Sequence, residues 1–280
     1  MTSVMWGSRR AGHGSGWGFR VLKHVDGLQV VAMLVQVLIS GMEYFYAMDS
    51  RDEADIVRLK SILSSTEVFH IYGAGLNTQR PAHSAVSELQ GRGWAVAPIH
   101  PNDGGATIEG FPIRPKLDDG VIPKVVVLFL APERSRAVVR NLIVRFERDV
   151  FPLVWFQLGA EDEPSRQALE EMGVPYIEHD CLVRFTERHS LNCNSSPLPQ
   201  QWCLQTASED GDGCSVWSIH SSASASLSRP SQSLEWVGSL EDLAQSNHTI
   251  PRYVRSLKNS DETLQSLALR LSGQLPTERR

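Results

Sequence analysis

"VFHIYGAGLNTQRP", residues 68–81, runs from an apolar stretch into a glycine-flanked polar turn that carries an arginine and ends on a proline. A strand that leads through glycines into a helix gathers backbone N–H groups and the positive end of the helix dipole at one point, which suits a phosphate. Gly73-Ala74-Gly75 is followed by Leu76, Asn77 and Thr78, so the third glycine of a G-x-G-x-x-G fingerprint is absent. Pro81 fits the first turn of the following helix, where its missing N–H costs nothing. Arg80 then stands at the helix mouth, where a guanidinium can pair bidentately with phosphate oxygens.

Outward from this turn, short apolar runs alternate with helical patterns. "VFHIYGA" (68–74), "AVAPIH" (95–100), "KVVVLFLA" (124–131), "LVWFQLG" (153–159) and "VPYIEH" (174–179) read as five strands. Between them "AHSAVSELQGRG", "ERSRAVVRNLIVRFER" and "EDEPSRQALEEMG" repeat apolar residues every three or four positions, while the link 101–123 shows no clear helix. A run such as "VVVLFL", without polar alternation, is buried on both faces, as a central parallel strand under helices would be. The pattern predicts an α/β fold with a doubly wound, mainly parallel five-stranded sheet. Ligands of such sheets sit beyond the C-terminal strand ends, which directs attention to 73–81, 100–102, 131–133 and 157–159.

The flanks read differently. Residues 1–47 place four basic residues before "LQVVAMLVQVLI", an apolar run short of the roughly 20 residues a bilayer needs, so a disordered or targeting extension is expected and membrane anchoring is not. "MDSRDEADIVRLKSIL" (48–63) has an acidic first turn and helical spacing, and opens a domain spanning 48–190. Residues 191–280 are rich in serine, proline and glycine and are expected to be disordered, with a short helix at 261–273.

Composition narrows the function classes. The net charge of −5 offers no broad phosphate-neutralising surface, which disfavours nucleic acid as a partner. Four cysteines without a C-x-x-C argue against a zinc site and for reduced thiols in a cytoplasmic protein. At the end of the second strand "PIHPND" lacks the acid that holds a nicotinamide cofactor's ribose, although Asp103 lies three residues past His100. Arg114 and Lys116 follow in the same connection, where basic groups suit an extra phosphate at the adenosine end. Gln157, a polar residue near the end of a buried strand, needs a partner and is a further site candidate. Cys181 has the single-thiol look of a nucleophile, but its place after the fifth strand favours core packing or a thiol near the sheet edge, and His179 and His189 read as packed or solvated side chains.

In the order of these motifs the segment of about residues 50–190 resembles the small stand-alone CoA-binding proteins, similar to the CoA-binding domain of succinyl-CoA synthetase alpha subunits. The resemblance rests on "IYGAG" then "RP", "PIHP", "FLAPE", "VWFQLG", and "DC" followed by "ERH". It implies a Rossmann-like fold with Gly73, Ala74 and Gly75 lining a phosphate loop and Arg80 approaching the cofactor. It also implies His100 and Pro101 near the adenosine, and Phe129 and Pro132 in a segment beside the bound molecule. Gly75, His100, Leu130 and Asp180 depart from the family's usual serine, asparagine, arginine and arginine.

The expected function is thus non-catalytic binding of coenzyme A or an acyl-CoA, with Gly73, Ala74, Gly75, Arg80, Pro81, His100, Pro101, Lys116, Phe129, Pro132 and Gln157 around the ligand and no metal. An NAD(P)-linked oxidoreductase on the same sheet is the alternative, and an interaction protein that keeps the fold without a ligand is a third.

Overall fold

The computed structural model describes residues 53–195 and 199–273. The expectation for residues 1–47 lies outside the described residues. Helix α1 (Glu53–Ser64) precedes the first strand and buries Leu59 and Leu63. Strands β1 (Val68–Tyr72), β2 (Ala95–Ile99), β5 (Val125–Leu128), β6 (Leu153–Phe156) and β7 (Tyr176–Ile177) form one sheet in the order β2-β1-β5-β6-β7. Every pairing in it is parallel, from Val68 opposite Ala95 to Trp155 opposite Ile177.

The five strands are those read from the sequence, shorter at their ends. Helices α2 (Pro81–Gln90), α3 (Pro132–Arg145) and α4 (Glu163–Met172) fill the intervals, and α5 (Leu182–Arg188) follows β7. Asp162 caps α4 by accepting the Ser165 N–H at 3.0 Å, and Gly173 closes the helix in the left-handed region at φ 63°. One sheet face carries α1, α2 and α5 over Phe69, Ile71, Val127 and Trp155. The other carries α3 and α4 over Val126, Leu128, Val154 and Phe156. The side of the crossover changes between β1 and β5, so the order is that of a doubly wound sheet with its switch point there.

The link from β2 to β5 holds no helix, as expected, but a small hairpin of β3 (Thr107–Ile108) and β4 (Phe111–Pro112). Arg114 then runs beside the end of β2: its N–H donates to the Pro98 carbonyl at 2.8 Å and its carbonyl accepts from His100 at 2.9 Å. That covers an edge strand which would otherwise expose unpaired backbone groups, and it tolerates a proline as edges do.

The expectation of a disordered tail over 191–280 is overturned for 199–273. Strands β8 (Gln201–Ala207), β9 (Ser215–Ser221) and β10 (Leu234–Ser239) form an antiparallel sheet in the order β10-β8-β9. Helices α6 (Leu240–Gln245), α7 (Thr249–Ser256) and α8 (Leu264–Leu271) complete the unit, and α8 falls within the helix expected at 261–273. Cys203, Ile219, Trp236, Leu243, Val254 and Leu267 are buried together, and the rings of Trp217 and Trp236 stack 5.9 Å apart. A few large side chains at strand spacing supply the apolar area that the serine-rich average conceals.

This C-terminal unit docks on the helix-free link. Asp242 of α6 pairs with Arg114 at 2.6 Å, both side chains being buried. Trp202 donates to the Gly110 carbonyl at 3.0 Å, and Trp236 and Ser246 both donate to Asp118 at 2.8 Å. Leu227 exchanges backbone and side-chain hydrogen bonds with Thr107. Gly110 and Gly120 abut the Ser222 and Gln245 carbonyls so closely that a Cβ at either would lie 2.0 and 2.4 Å from those oxygens.

Candidate functional site

The turn after β1 crosses the switch point. Gly73 sits at φ 92°, donates its N–H to the Ile99 carbonyl at 2.9 Å, and passes so near β5 that a Cβ would stand 2.4 Å from the Phe129 carbonyl oxygen. Both the positive φ and the contact require glycine. Asn77 accepts the Gln79 N–H at 3.0 Å and His83 Nδ1 lies 2.8 Å from the Gly75 carbonyl, which together fold the loop back onto α2. Arg80 is the N-cap of α2 in extended conformation and makes no side-chain cap, and Pro81 is the first helical residue. The positive dipole end of α2 therefore faces the space beyond the sheet, with an exposed guanidinium beside it.

That space is a cleft of about 1340 Å³ along the C-terminal ends of β2, β1, β5 and β6. Gly73, Gly75, Arg80 and Pro81 line it from the loop, and His100, Pro101 and Lys116 from the β2 end. Phe129 and Gln157 line it from β5 and β6. Ala74 instead points into the core, fully buried, and Pro132 begins α3 outside the lining. Arg114 is also absent from it, because it is locked in the pair with Asp242.

Residues that sequence reading did not single out complete the walls. Arg134, Val138, Asn141 and Arg145 present one face of α3 to the cleft. Their spacing of four, three and four was the available signal. Arg145 is held by Asp119 at 3.2 Å and by the carbonyls of Leu117 and Asp118, so its role is to fix the wall. Burial pushes the Tyr72 hydroxyl up to about 12, against the opposing influence of Arg145, which keeps it a proton donor. Gln157 is 4% exposed, and its side-chain Nε2 has no hydrogen-bond partner among the described residues. A buried amide donor in a cleft wall calls for an acceptor from a ligand or water.

Asp103 is the other residue that the fold brings in. Its Oδ2 accepts the Leu76 N–H at 2.9 Å and lies 3.0 Å from His100 Nδ1. A Cβ on Gly75 would stand 2.4 Å from that oxygen and 2.8 Å from the His100 ring, so Gly75 and the Asp103–His100 pair require each other. Asp180, another departure from the family pattern, is fully buried beneath Arg188 at 3.0 Å and its carbonyl accepts from Trp155. Its part is in the core. No group of three or more potential metal ligands occurs among the described residues, and no described helix is long and apolar enough to cross a membrane.

A parallel sheet in this order with a glycine turn at its switch point defines a Rossmann-like class of domain. Residues 67–186 match the CoA-binding domain family. Among solved structures the chain is similar to a Thermus thermophilus protein described as cell-free ID.343, at 25% identity and a TM-score of 0.42, covering 48% of this chain and 97% of that one. It is also similar to a hypothetical protein from Pyrococcus horikoshii OT3, at 23% identity and a TM-score of 0.43, covering 50% and 93%. A conserved hypothetical protein from Pyrococcus furiosus matches at 26% identity and a TM-score of 0.38, covering 42% and 97%. No curated protein matches.

Proposed function

We propose that the cleft binds coenzyme A or an acyl-CoA and that the protein carries the ligand without transforming it. The observation that supports this most is the reach of the cleft, from His100 on β2 past Arg80 to Gln157 on β6. Three inter-strand steps separate those ends, about 14 Å. A nucleoside monophosphate is too short to engage both, whereas an adenosine diphosphate with a long amide-containing arm is not.

In this reading the pyrophosphate lies against the start of α2 with Arg80 as its cation, and Lys116 attends the adenosine end. The pantetheine arm passes Phe129 toward Gln157, whose unpaired amide donates to a carbonyl of the arm. The thiols support binding without covalent chemistry: Cys181 opens α5 away from the cleft lining, and burial raises the Cys203 thiol well above its ordinary value. The reduced cysteines fit a cytoplasmic setting. NAD(P) is the second reading, favoured by the Asp103 carboxylate beside the loop.

Calorimetric titration of the full chain with CoA and NAD+, repeated on Arg80→Ala, tests the proposal. CoA is expected to saturate one site and to bind about tenfold more weakly to the variant, the scale of a lost charge-assisted contact. Saturation by NAD+ with silence toward CoA would replace the first reading with the second.

A further inference from the structure

An acid seated against a phosphate loop has a consequence for which ligand fits. Asp103 spends Oδ2 on the Leu76 N–H, one of the loop's own donors, and so removes that donor from any phosphate. Among the described residues its Oδ1 has only Arg229 Nε, at 3.6 Å, and the residue lines the cleft. A carboxylate oxygen accepts hydrogen bonds and cannot donate them. A ribose hydroxyl satisfies it; a phosphate ester oxygen repels it. Acids beside such loops hold unesterified ribose hydroxyls, whereas basic groups accommodate an added phosphate.

The carboxylate is also firmly placed. Asp103 is 8% exposed, and its backbone N–H closes on the His100 carbonyl at 3.3 Å. Arg229, from the connection between β9 and β10, binds the Asn102 carbonyl at 3.3 Å as well. The C-terminal unit thus steadies the tip of β2 that carries the acid. Gly75 leaves the pair its room, since any side chain there would collide with both members.

We propose that Asp103 is a specificity residue that selects a free ribose diol, so that the cleft takes 3′-dephospho-CoA in preference to CoA itself. This rests on the reading of the cleft as a site for CoA-class ligands. Lys116, the cation at the same end, is exposed on the rim, whereas the acid lies against the loop.

The test is calorimetry of the full chain with CoA and with 3′-dephospho-CoA, on the wild type and on Asp103→Asn, whose amide oxygen can still accept the Leu76 N–H. Urea unfolding of the variant confirms that it is folded. The wild type is expected to bind the dephospho form at least about tenfold more tightly, and the variant to lose most of that ratio. Wild-type binding of CoA as tight as, or tighter than, the dephospho form overturns the inference while leaving the CoA-class reading intact. A ratio unchanged in a folded variant overturns the assignment to Asp103. Silence toward both ligands overturns the inference together with the reading beneath it.

Discussion

A methyl group at Gly73 would have to stand 2.4 Å from the Phe129 carbonyl oxygen, on a backbone at φ 92° that side chains avoid. Gly73→Ala is therefore expected to lower the stability to urea unfolding by about 2 kcal/mol or more, from left-handed strain and the forced separation of β1 from β5. A midpoint unchanged from wild type would show that the turn is looser than described. Gly73, Arg80 and Gln157 were legible in the sequence because their chemistry is local: a glycine and an arginine at fixed steps after a strand, an amide near the end of an apolar run. Asp103 reads in the sequence as an acid three residues past His100 that could swing back toward the loop. Its contact with Leu76 spans 27 residues and exists only once β2 lies beside β1. Ala74 was placed in the loop by resemblance, but its methyl group packs inward.

Among the described residues, β1 carries the one buried histidine that faces a charged pair. His70 lies beside Arg114 and Asp242, and its Nδ1 has no partner among the described residues. Burial lowers it to about 4, with Arg114 acting in the same direction and Asp242 against it. The unfolded chain takes up a proton near pH 6.5 that the folded one refuses until about pH 4. Stability is thus full above 6.5 and falls as the pH drops through that window, by about 3 kcal/mol at its lower end. Replacing His70 by Leu is expected to flatten the urea midpoint between pH 7 and pH 4.5, and a variant with the wild-type slope would contradict this. The strands and helices of the parallel sheet were readable because continuous burial writes continuous apolar runs. Strands β8 to β10 were not, because their outward positions are serine, threonine and glutamine and their core rests on a few tryptophans. Period-two placement of Trp217 and Ile219 about Ser218 on β9 was the signal that averaging hid.

Over the whole molecule, the C-terminal unit covers the link that has no helix, so the sheet's helix-poor flank and the unit's buried Asp242 depend on each other. Neither half of that dependence is visible in local sequence, since Arg114 and Asp242 are 128 residues apart and each alone reads as a solvated charge. The unit has its own smaller cavity of about 490 Å³, lined by His220 and Ser224 among others, away from the strand tips. The central claim places a CoA-class ligand in the larger cleft. Hydrogen exchange of the full chain, followed by mass spectrometry with and without saturating CoA, tests it most directly. Slowed exchange is expected in 73–84 and 157–160, with 215–227 unchanged. Protection confined to 215–227, or no protection at any concentration, would contradict it.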